Sequence, residues 1–430
     1  MSVNTLKRLL ERHLFTTGGR KVAFYTLAHN LFLLLAGGFE IALVIRLTGS
    51  IERIVFLNLF MYILLFLAFV GGTLLLRTGK VSRTFRLDLS FQALACLYML
   101  VNFTRLNNSL ILAGYFVLKG ISEGLFWSTR HSALLYLVHD SVRDSWGLKL
   151  QTISIIISVI MPVVAGCAIS YLVLPIAPLA GSSALPSGYW SVYALGGVLA
   201  LFAVLVSPSL TIPVQKIRLS AAAGLGKVRG NLDWVAYLTA GSFATVSVTT
   251  ALGILNFNVL HTEFNLGLFA SWIALASAVF YFSLNYIRRR ITLTRLQMVL
   301  IGVSGDMASR LIYWTFYSLP GLLGKSFLDS FIVPLRGVFG ENIIRQRVEL
   351  LARSQNRSVA EVILFQEAIL LLARITISLV LIIVLNLLHG DPVAVSRSLL
   401  LMFMAYGLID WLFIRHINTR NHHLARQNLT

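Results

Sequence analysis

Residues 54–76 read IVFLNLFMYILLFLAFVGGTLLL and contain no charged side chain. An α-helix needs about 20 consecutive apolar residues to cross the hydrocarbon core of a bilayer. Apolar segments of similar length recur along the whole chain of 430 residues. The repetition indicates a polytopic membrane protein, and residues 54–76 form one of its predicted spans.

The composition also indicates that lipid surrounds the protein. Hydrophobic residues make up 57% of the chain and charged residues only 12%, whereas a soluble globular domain carries about 25% charged residues. The missing polar covering is explained if lipid surrounds most of the protein.

Twelve membrane-spanning helices are predicted, joined by short connections. They cover residues 22–47, 54–76, 87–104, 110–137, 150–175, 189–210, 233–260, 267–287, 296–318, 326–348, 359–388 and 394–415. A polar, basic linker at 211–232 divides the chain into an N-terminal half (1–210) and a C-terminal half (233–430), each with six spans. The predicted fold class is therefore an all-α membrane protein with two pseudo-symmetric six-helix halves.

The net charge of +19 raises the question of a nucleic-acid partner. The positions of the basic residues argue against one, because most of them lie in alternate connections and in the two terminal segments. The opposite set of connections carries only Arg46, Arg53, Arg105, Lys325 and Arg397. This is the positive-inside pattern, which predicts that both termini are cytoplasmic. The short loops favour a bacterial inner membrane as the location.

The fourth and tenth predicted spans share a sequence pattern that suggests an internal repeat. The fourth contains Leu118-Lys119-Gly120 and the tenth contains Leu335-Arg336-Gly337. Each tripeptide is followed by an acid and then by an Arg at the same spacing from the first basic residue, namely Glu123 and Arg130 in the fourth span and Glu341 and Arg347 in the tenth. Transporter folds commonly contain such repeats.

The loop after the second span reads Gly72-Thr-Leu-Leu-Leu-Arg77-Thr-Gly79-Lys80. It resembles the loop signature of the major facilitator superfamily, G-x-L-a-D-R-x-G-R/K, with Leu76 in place of the Asp. The resemblance implies a monomeric secondary transporter whose first, fourth, seventh and tenth helices line a central cavity. It also implies that Gly72 and Gly79 allow a tight turn, and that Arg77 and Lys80 belong to a gate.

Ionisable side chains inside a membrane are costly, so each is a candidate functional residue. Lys119 and Arg336 are predicted near mid-membrane, where two cations would attract an anionic group of a substrate. The alternative is structural pairing at a spacing of four residues, Lys119 with Glu123 and Glu341 with Arg345. The remaining predicted substrate contacts are Glu123 and Glu341, together with polar side chains of the first and seventh spans: His29, Asn30, Asn256 and Asn258.

Glu40 and Glu123 are the predicted proton-coupling residues, because a carboxyl group in an apolar cavity can bind and release a proton during a transport cycle. No cation lies within one helical turn of Glu40. It must therefore find a partner on another helix or stay protonated. Pro334, just before Arg336, is expected to break the tenth helix where the substrate binds.

No cofactor is expected, because the chain has no metal-binding spacing, no P-loop and no catalytic triad. The predicted function is not enzymatic. It is secondary active transport of a small organic solute, with an anionic solute favoured, by alternating access and with protons as the coupled ion. Two alternatives stay open: an exporter or flippase of an amphiphilic drug or lipid-linked molecule, and a non-transporting membrane scaffold.

Overall fold

A computed structural model describes residues 17–172, 187–213, 231–287, 293–355, 357–387 and 391–427. Every regular element in these ranges is helical. Most of the predicted linker at 211–232 and of the connection between the fifth and sixth spans lies outside the described residues.

Fourteen helices are labelled here in chain order. They are α1 (Thr17–Leu35), α2 (Glu40–Thr48), α3 (Ile51–Leu75), α4 (Val81–Val101), α5 (Ser109–Leu137), α6 (Asp140–Tyr171), α7 (Gly188–Val206), α8 (Leu232–Leu260), α9 (Glu263–Ile287), α10 (Arg295–Thr315), α11 (Leu319–Pro334), α12 (Gly340–Ser354), α13 (Val359–Leu387) and α14 (Pro392–Gln427). We call α1–α7 the first half of the chain and α8–α14 the second half.

Each predicted span overlaps one of these helices or a pair of consecutive ones. Within the described ranges, nine helical stretches are long and apolar enough to cross a membrane. The helices outside this set are α8, α10 and the α11–α12 pair, where the predicted seventh, ninth and tenth spans lie. An all-helical protein with many membrane helices is thus confirmed, while the count of twelve spans and the cytoplasmic placement of the termini stay predictions.

Two helical irregularities place charged residues in the interior. A 3₁₀ turn at Gly37–Phe39 separates α1 from α2, and Glu40 is the first residue of α2. A π-helical turn at Leu335–Phe339 separates α11 from α12 and contains Arg336. Because Pro334 has no backbone N–H, the regular hydrogen-bond ladder cannot continue through it. The expected break in the tenth span is therefore a change of helical pitch rather than an unwound segment.

Glycines set the closest helix contacts. A Cβ atom on Gly124 of α5 would lie 2.1 Å from the carbonyl oxygen of Leu65 on α3, and one on Gly120 would lie 2.5 Å from that of Met61. Small residues at these positions let the two backbones approach. These contacts fix the position of α5 along α3, and hence the positions of Lys119 and Glu123.

The two halves of the chain pack against each other along two helix pairs, α6 with α9 and α3 with α13. In the first pair, a Cβ on Gly267 would lie 2.2 Å from the carbonyl oxygen of Pro162. A Cβ on Gly166 would lie 2.7 Å from the carbonyl oxygen of Glu263.

Candidate functional site

Glu40 is buried and has partners on α5. Lys119 Nζ donates a hydrogen bond to Glu40 Oε2, and the Tyr115 hydroxyl donates one of 2.6 Å to Oε1. The side chains of Lys119 and Glu40 are 12% and 10% exposed, so the ion pair is largely shielded from solvent. Lys119 therefore pairs across helices with Glu40, and Glu123, one turn further along α5, has other partners.

His29 and Asp88 form a second buried group, between α1 and α4. His29 Nδ1 lies 3.1 Å from Asp88 Oδ2 and 3.2 Å from Oδ1. The Gln92 amide nitrogen lies 2.6 Å from the same ring nitrogen, and the Ser122 hydroxyl donates a 2.5 Å hydrogen bond to Asp88 Oδ1. The imidazole stacks on Phe126 with ring centroids 3.6 Å apart. His29 thus has its ring plane and its Nδ1 environment fixed by three helices.

Glu123 joins this group from α5. Its Oε2 atom lies 3.5 Å from His29 Nε2 and accepts a 2.8 Å hydrogen bond from the Trp127 indole. Its side chain is 13% exposed, whereas that of His29 is fully buried. Glu123 is therefore the more accessible end of the series Asp88, His29, Glu123.

Asp88 was not predicted as a site residue, because the third span was predicted to begin at residue 87 and Asp88 lay at its edge. Gln92 lay inside that span and was not recognised either. In the structure α4 begins at Val81, so Asp88 lies two helical turns inside it. The buried positions of α4 include a series that recurs every three or four residues: Ser82, Phe85, Asp88 or Leu89, Gln92, Ala95 or Cys96, and Met99. An aspartate and a glutamine in register with that buried face are the signal that could have identified them.

In the second half, Arg336 is held by two aspartates. It donates a 2.8 Å hydrogen bond to Asp306 on α10 and another to Asp410 on α14. Asp306 also accepts a 2.8 Å hydrogen bond from Arg310, which lies four residues further along the same helix. Asp410 lies inside the predicted twelfth span and was not recognised as a candidate. Lys119 and Arg336 are thus each paired with carboxylates of their own half of the chain.

Ion pairs connect the two halves at the end of the helices where α5 ends and α6 begins. Arg295 donates to Asp144 at 2.8 Å and to Asp140 at 3.2 Å. Asn342 donates to Asp144 at 2.6 Å, and Arg143 donates to Glu349 at 2.5 Å. Asp144 and Arg143 are almost completely buried. This end of the molecule is closed by contacts between α6 and the second half.

Glu341 takes part in the same closure. It accepts a 3.2 Å hydrogen bond from Arg130 on α5 and another from Arg345 on its own helix. The Arg130 guanidinium lies 5.0 Å from the Trp127 ring centroid. Because Trp127 also contacts Glu123, a continuous series of side chains joins the buried His29 group to this closed end.

The opposite end of the molecule has its own contact between the halves. Arg46, in the last turn of α2, donates hydrogen bonds to Glu263 at the start of α9. The Tyr189 hydroxyl donates a hydrogen bond of 3.1 Å to the same carboxylate. Nearby, a Cβ on Gly253 of α8 would lie 2.2 Å from Ile41 Cδ1. The two halves therefore touch on both sides of the buried ionisable groups.

The other predicted site residues lie outside these networks. Asn30 and Asn256 are half-buried, and Asn258 is exposed. The Oδ1 atom of Asn256 is buried without a hydrogen-bond partner. Their substrate-binding role stays a prediction.

The loop that carries the family signature forms a tight turn. Gly79 has φ of +69°, a left-handed conformation that favours glycine. A Cβ on Gly72 would lie 2.2 Å from the Ser128 hydroxyl. Arg77 and Lys80 are exposed, and none of the ion pairs between the halves described above involves them. The gate role of this loop stays a prediction. In the part of the chain that the structure describes, no group of three His, Cys, Asp or Glu side chains could hold a metal ion.

No protein-family model and no curated protein matches the sequence. Solved structures match over almost the whole chain. FucP, the E. coli fucose:proton symporter and a Major Facilitator Superfamily transporter, has a TM-score of 0.60 at 13% identity and covers 91% of this chain and 98% of its own. The human organic anion transporter MFSD10 has a TM-score of 0.61 at 15% identity, and the match covers 92% of this chain and 99% of MFSD10. The nucleoside transporter NupG has a TM-score of 0.56 at 12% identity, and the match covers 93% of this chain and 99% of NupG. At these identities the likeness shows a shared fold.

Proposed function

We propose that this chain, which has the fold of major facilitator superfamily transporters, is a secondary active transporter that moves a small organic anion across the bacterial inner membrane together with protons. The observation that carries the proposal is the buried Glu40–Lys119 ion pair in a helical protein of this fold. A charge pair inside a membrane protein is costly to keep, and such residues commonly form substrate or proton pathways.

The pair provides a coupling step. Protonation of Glu40 removes the negative charge that holds Lys119, which leaves the buried ammonium group without its hydrogen-bonded counter-ion. A carboxylate or phosphate group of a substrate can then replace Glu40 at Lys119. An unpaired buried charge is strongly unfavourable, so proton binding and anion binding favour each other. Release of both ligands on the other side restores the Glu40–Lys119 pair.

Arg336 is proposed as a second anion contact. Binding an anion there costs more free energy than binding one at Lys119. An anion would reach its guanidinium only by displacing Asp306 or Asp410. Asn256, whose side-chain oxygen has no hydrogen-bond partner, is proposed as a neutral polar contact, together with Asn30 and Asn258. Glu341, which binds Arg130 and Arg345, is proposed to act in closure between the halves rather than on the substrate.

Contacts at both ends of the buried groups support alternating access between two six-helix halves, 1–210 and 233–430, acting as one monomer. Opening one end requires separation of Arg295 from Asp140 and Asp144, and of Arg143 from Glu349. Opening the other requires separation of Arg46 from Glu263. By the positive-inside pattern, the first of these ends faces the cytoplasm.

The exporter alternative is favoured by one observation. A largely apolar groove of about 770 Å³ lies between α8 and α14, lined by residues that include Val235, Phe243, Leu412 and Phe413, with Asp233 and His416 also in its lining. An amphiphile with a charged head could enter such a groove from the lipid.

Reconstitution into proteoliposomes separates these functions. Uptake of radiolabelled carboxylates and organic phosphates is measured with an inward-acidic, outward-acidic or zero pH gradient. Accumulation of one anion driven by the pH gradient, lost in Lys119→Met and kept in Arg53→Met, supports the proposal. Transport of fluorescent amphiphiles alone supports the exporter, and no transport of any probe supports the scaffold. Arg53 is an exposed basic residue outside all the networks described above.

A further inference from the structure

The ionisable groups in the interior of the first half carry more negative than positive charge. Three carboxyl groups, Glu40, Asp88 and Glu123, lie there with two basic groups, Lys119 and His29. If every group is ionised, including a protonated His29, the total is one negative charge. Because a buried net charge is unfavourable, this interior favours one further proton.

Two neighbouring groups on other helices, Tyr62 and Arg374, do not supply the balance. Tyr62 on α3 is a phenol and carries no charge near neutral pH. Arg374 on α13 lies over the Tyr62 ring, 5.5 Å from its centroid, and is bound to Glu367 at 2.6 Å. The positive charge of Arg374 is thus already matched within its own helix.

We infer that Asp88 and His29 share an exchangeable proton, which makes this pair a proton-binding site separate from Glu40. The Nδ1 atom lies within 3.2 Å of both Asp88 oxygens, at a distance where a proton can lie on either partner. Gln92 can form a hydrogen bond with His29 Nδ1 whether or not that atom carries the proton. Its NH₂ group donates to a bare Nδ1, and after rotation of the amide its oxygen, which has no partner as placed, accepts from a protonated one.

The two ring nitrogens also provide the route to this site. His29 is fully buried, but its Nε2 atom faces the more accessible Glu123 at 3.5 Å. A proton on Glu123 passes to Nε2 while the proton on Nδ1 passes to Asp88. The imidazole starts and ends neutral, having exchanged one tautomer for the other. One proton has moved from Glu123, which becomes a carboxylate, to Asp88, which becomes an acid.

The inference rests on the proposed function only for its role in coupling, and it can be tested without a substrate. Infrared spectroscopy of the purified full chain in lipid nanodiscs records the carbonyl band of protonated carboxylic acids between about pH 5 and 8. We expect a band from a buried acid that changes with pH, is lost in Asp88→Asn and loses its pH response in His29→Gln. Ser122→Ala should shift the band, because it removes the hydrogen bond to Asp88 Oδ1. The exposed carboxyl change Glu52→Gln is the matched control and should leave the band unaltered.

Carbon-13 labelling of aspartate carboxyl groups provides a second measurement if Asp88→Asn does not fold. The band should then shift in the labelled protein, and His29→Gln should still abolish its pH response. The inference is overturned if no such band exists, or if the band persists in Asp88→Asn. A failure of the transport proposal would appear only in the proteoliposome assays and would leave this spectrum unchanged.

Discussion

Arg295 and Asp144 are 151 positions apart in the sequence, yet Arg295 Nε donates a 2.8 Å hydrogen bond to Asp144 Oδ2. The same guanidinium donates to the side chain and the backbone carbonyl of Asp140. A single side chain of α10 thus holds the start of α6 from two directions. The contact joins the first half of the chain to the second and lies at the end that the positive-inside pattern assigns to the cytoplasm.

Arg295→Gln should open this end more often, because it removes the charge that binds both aspartates. A reporter cysteine can be placed at Gly147, where a Cβ would lie 3.1 Å from Val338 across the two halves. In a background with Cys96→Ala and Cys167→Ala, alkylation of Gly147→Cys should become several times faster in Arg295→Gln. Arg53→Gln serves as the control. Equal alkylation rates in all three proteins would show that Arg295 does not hold this end closed.

The Glu40–Lys119 pair should show strong coupling in a double-mutant cycle. Loss of one partner of a buried pair costs about 3–5 kcal/mol, because the other charge stays buried without a partner. Lys119→Met and Glu40→Gln should each lower the free energy of unfolding, and the double variant should lose clearly less than the sum of the two. Reversible unfolding of the purified protein in detergent and denaturant measures all four proteins. Additive losses would mean that the two side chains do not interact.

Gly267→Ala should separate α6 from α9. The added Cβ would lie 2.2 Å from the carbonyl oxygen of Pro162, and backbone atoms cannot move as a side chain can. Overpacking of this kind costs about 1–3 kcal/mol. Gly71→Ala on α3 is the matched control, because no heavy atom lies within 4 Å of its Cβ position. It should be neutral or stabilise the helix by up to about 1 kcal/mol. Melting temperatures of the two variants should therefore move apart, and a similar melting temperature in both would contradict this packing.

Gly79→Val should destabilise the loop that carries the family signature, because φ of +69° brings a Cβ atom close to the backbone. The left-handed conformation costs about 1–2 kcal/mol for a residue with a side chain, and Asn tolerates it better than most. Gly79→Asn should therefore fall between the wild type and Gly79→Val in thermal stability. The opposite order of the two variants would rule out this backbone reason.

Sequence patterns were sufficient for the features that depend on one helix. A helix is present at each predicted span and the major facilitator fold is confirmed. Asp306 and Arg310, four residues apart on one helix, form an ion pair. The Glu367–Arg374 pair, two turns apart, is present as well. Hydrophobic length and residue spacing carry this information because both are local properties of an α-helix.

Partners on different helices could not be predicted in the same way. The sequence predicted that Glu40 has a partner on another helix or stays protonated. It could not identify Lys119, because the choice depends on how α2 packs against α5. Asp88 lay at a predicted helix edge, where an acid is unremarkable, and it became a buried residue only when α4 proved to begin six residues earlier. Arg336 has two partners, Asp306 and Asp410, that come together through the packing of α10 and α14.

The central claim is that Glu40 couples proton binding to anion binding at Lys119. The measurement that tests it most directly compares two transport modes of Glu40→Gln in proteoliposomes, exchange of labelled for unlabelled anion and accumulation driven by a pH gradient. Because the amide mimics protonated Glu40, we expect exchange to persist at a rate similar to that of the wild type, while accumulation driven by the pH gradient is lost. Accumulation at the wild-type level in Glu40→Gln would contradict the account.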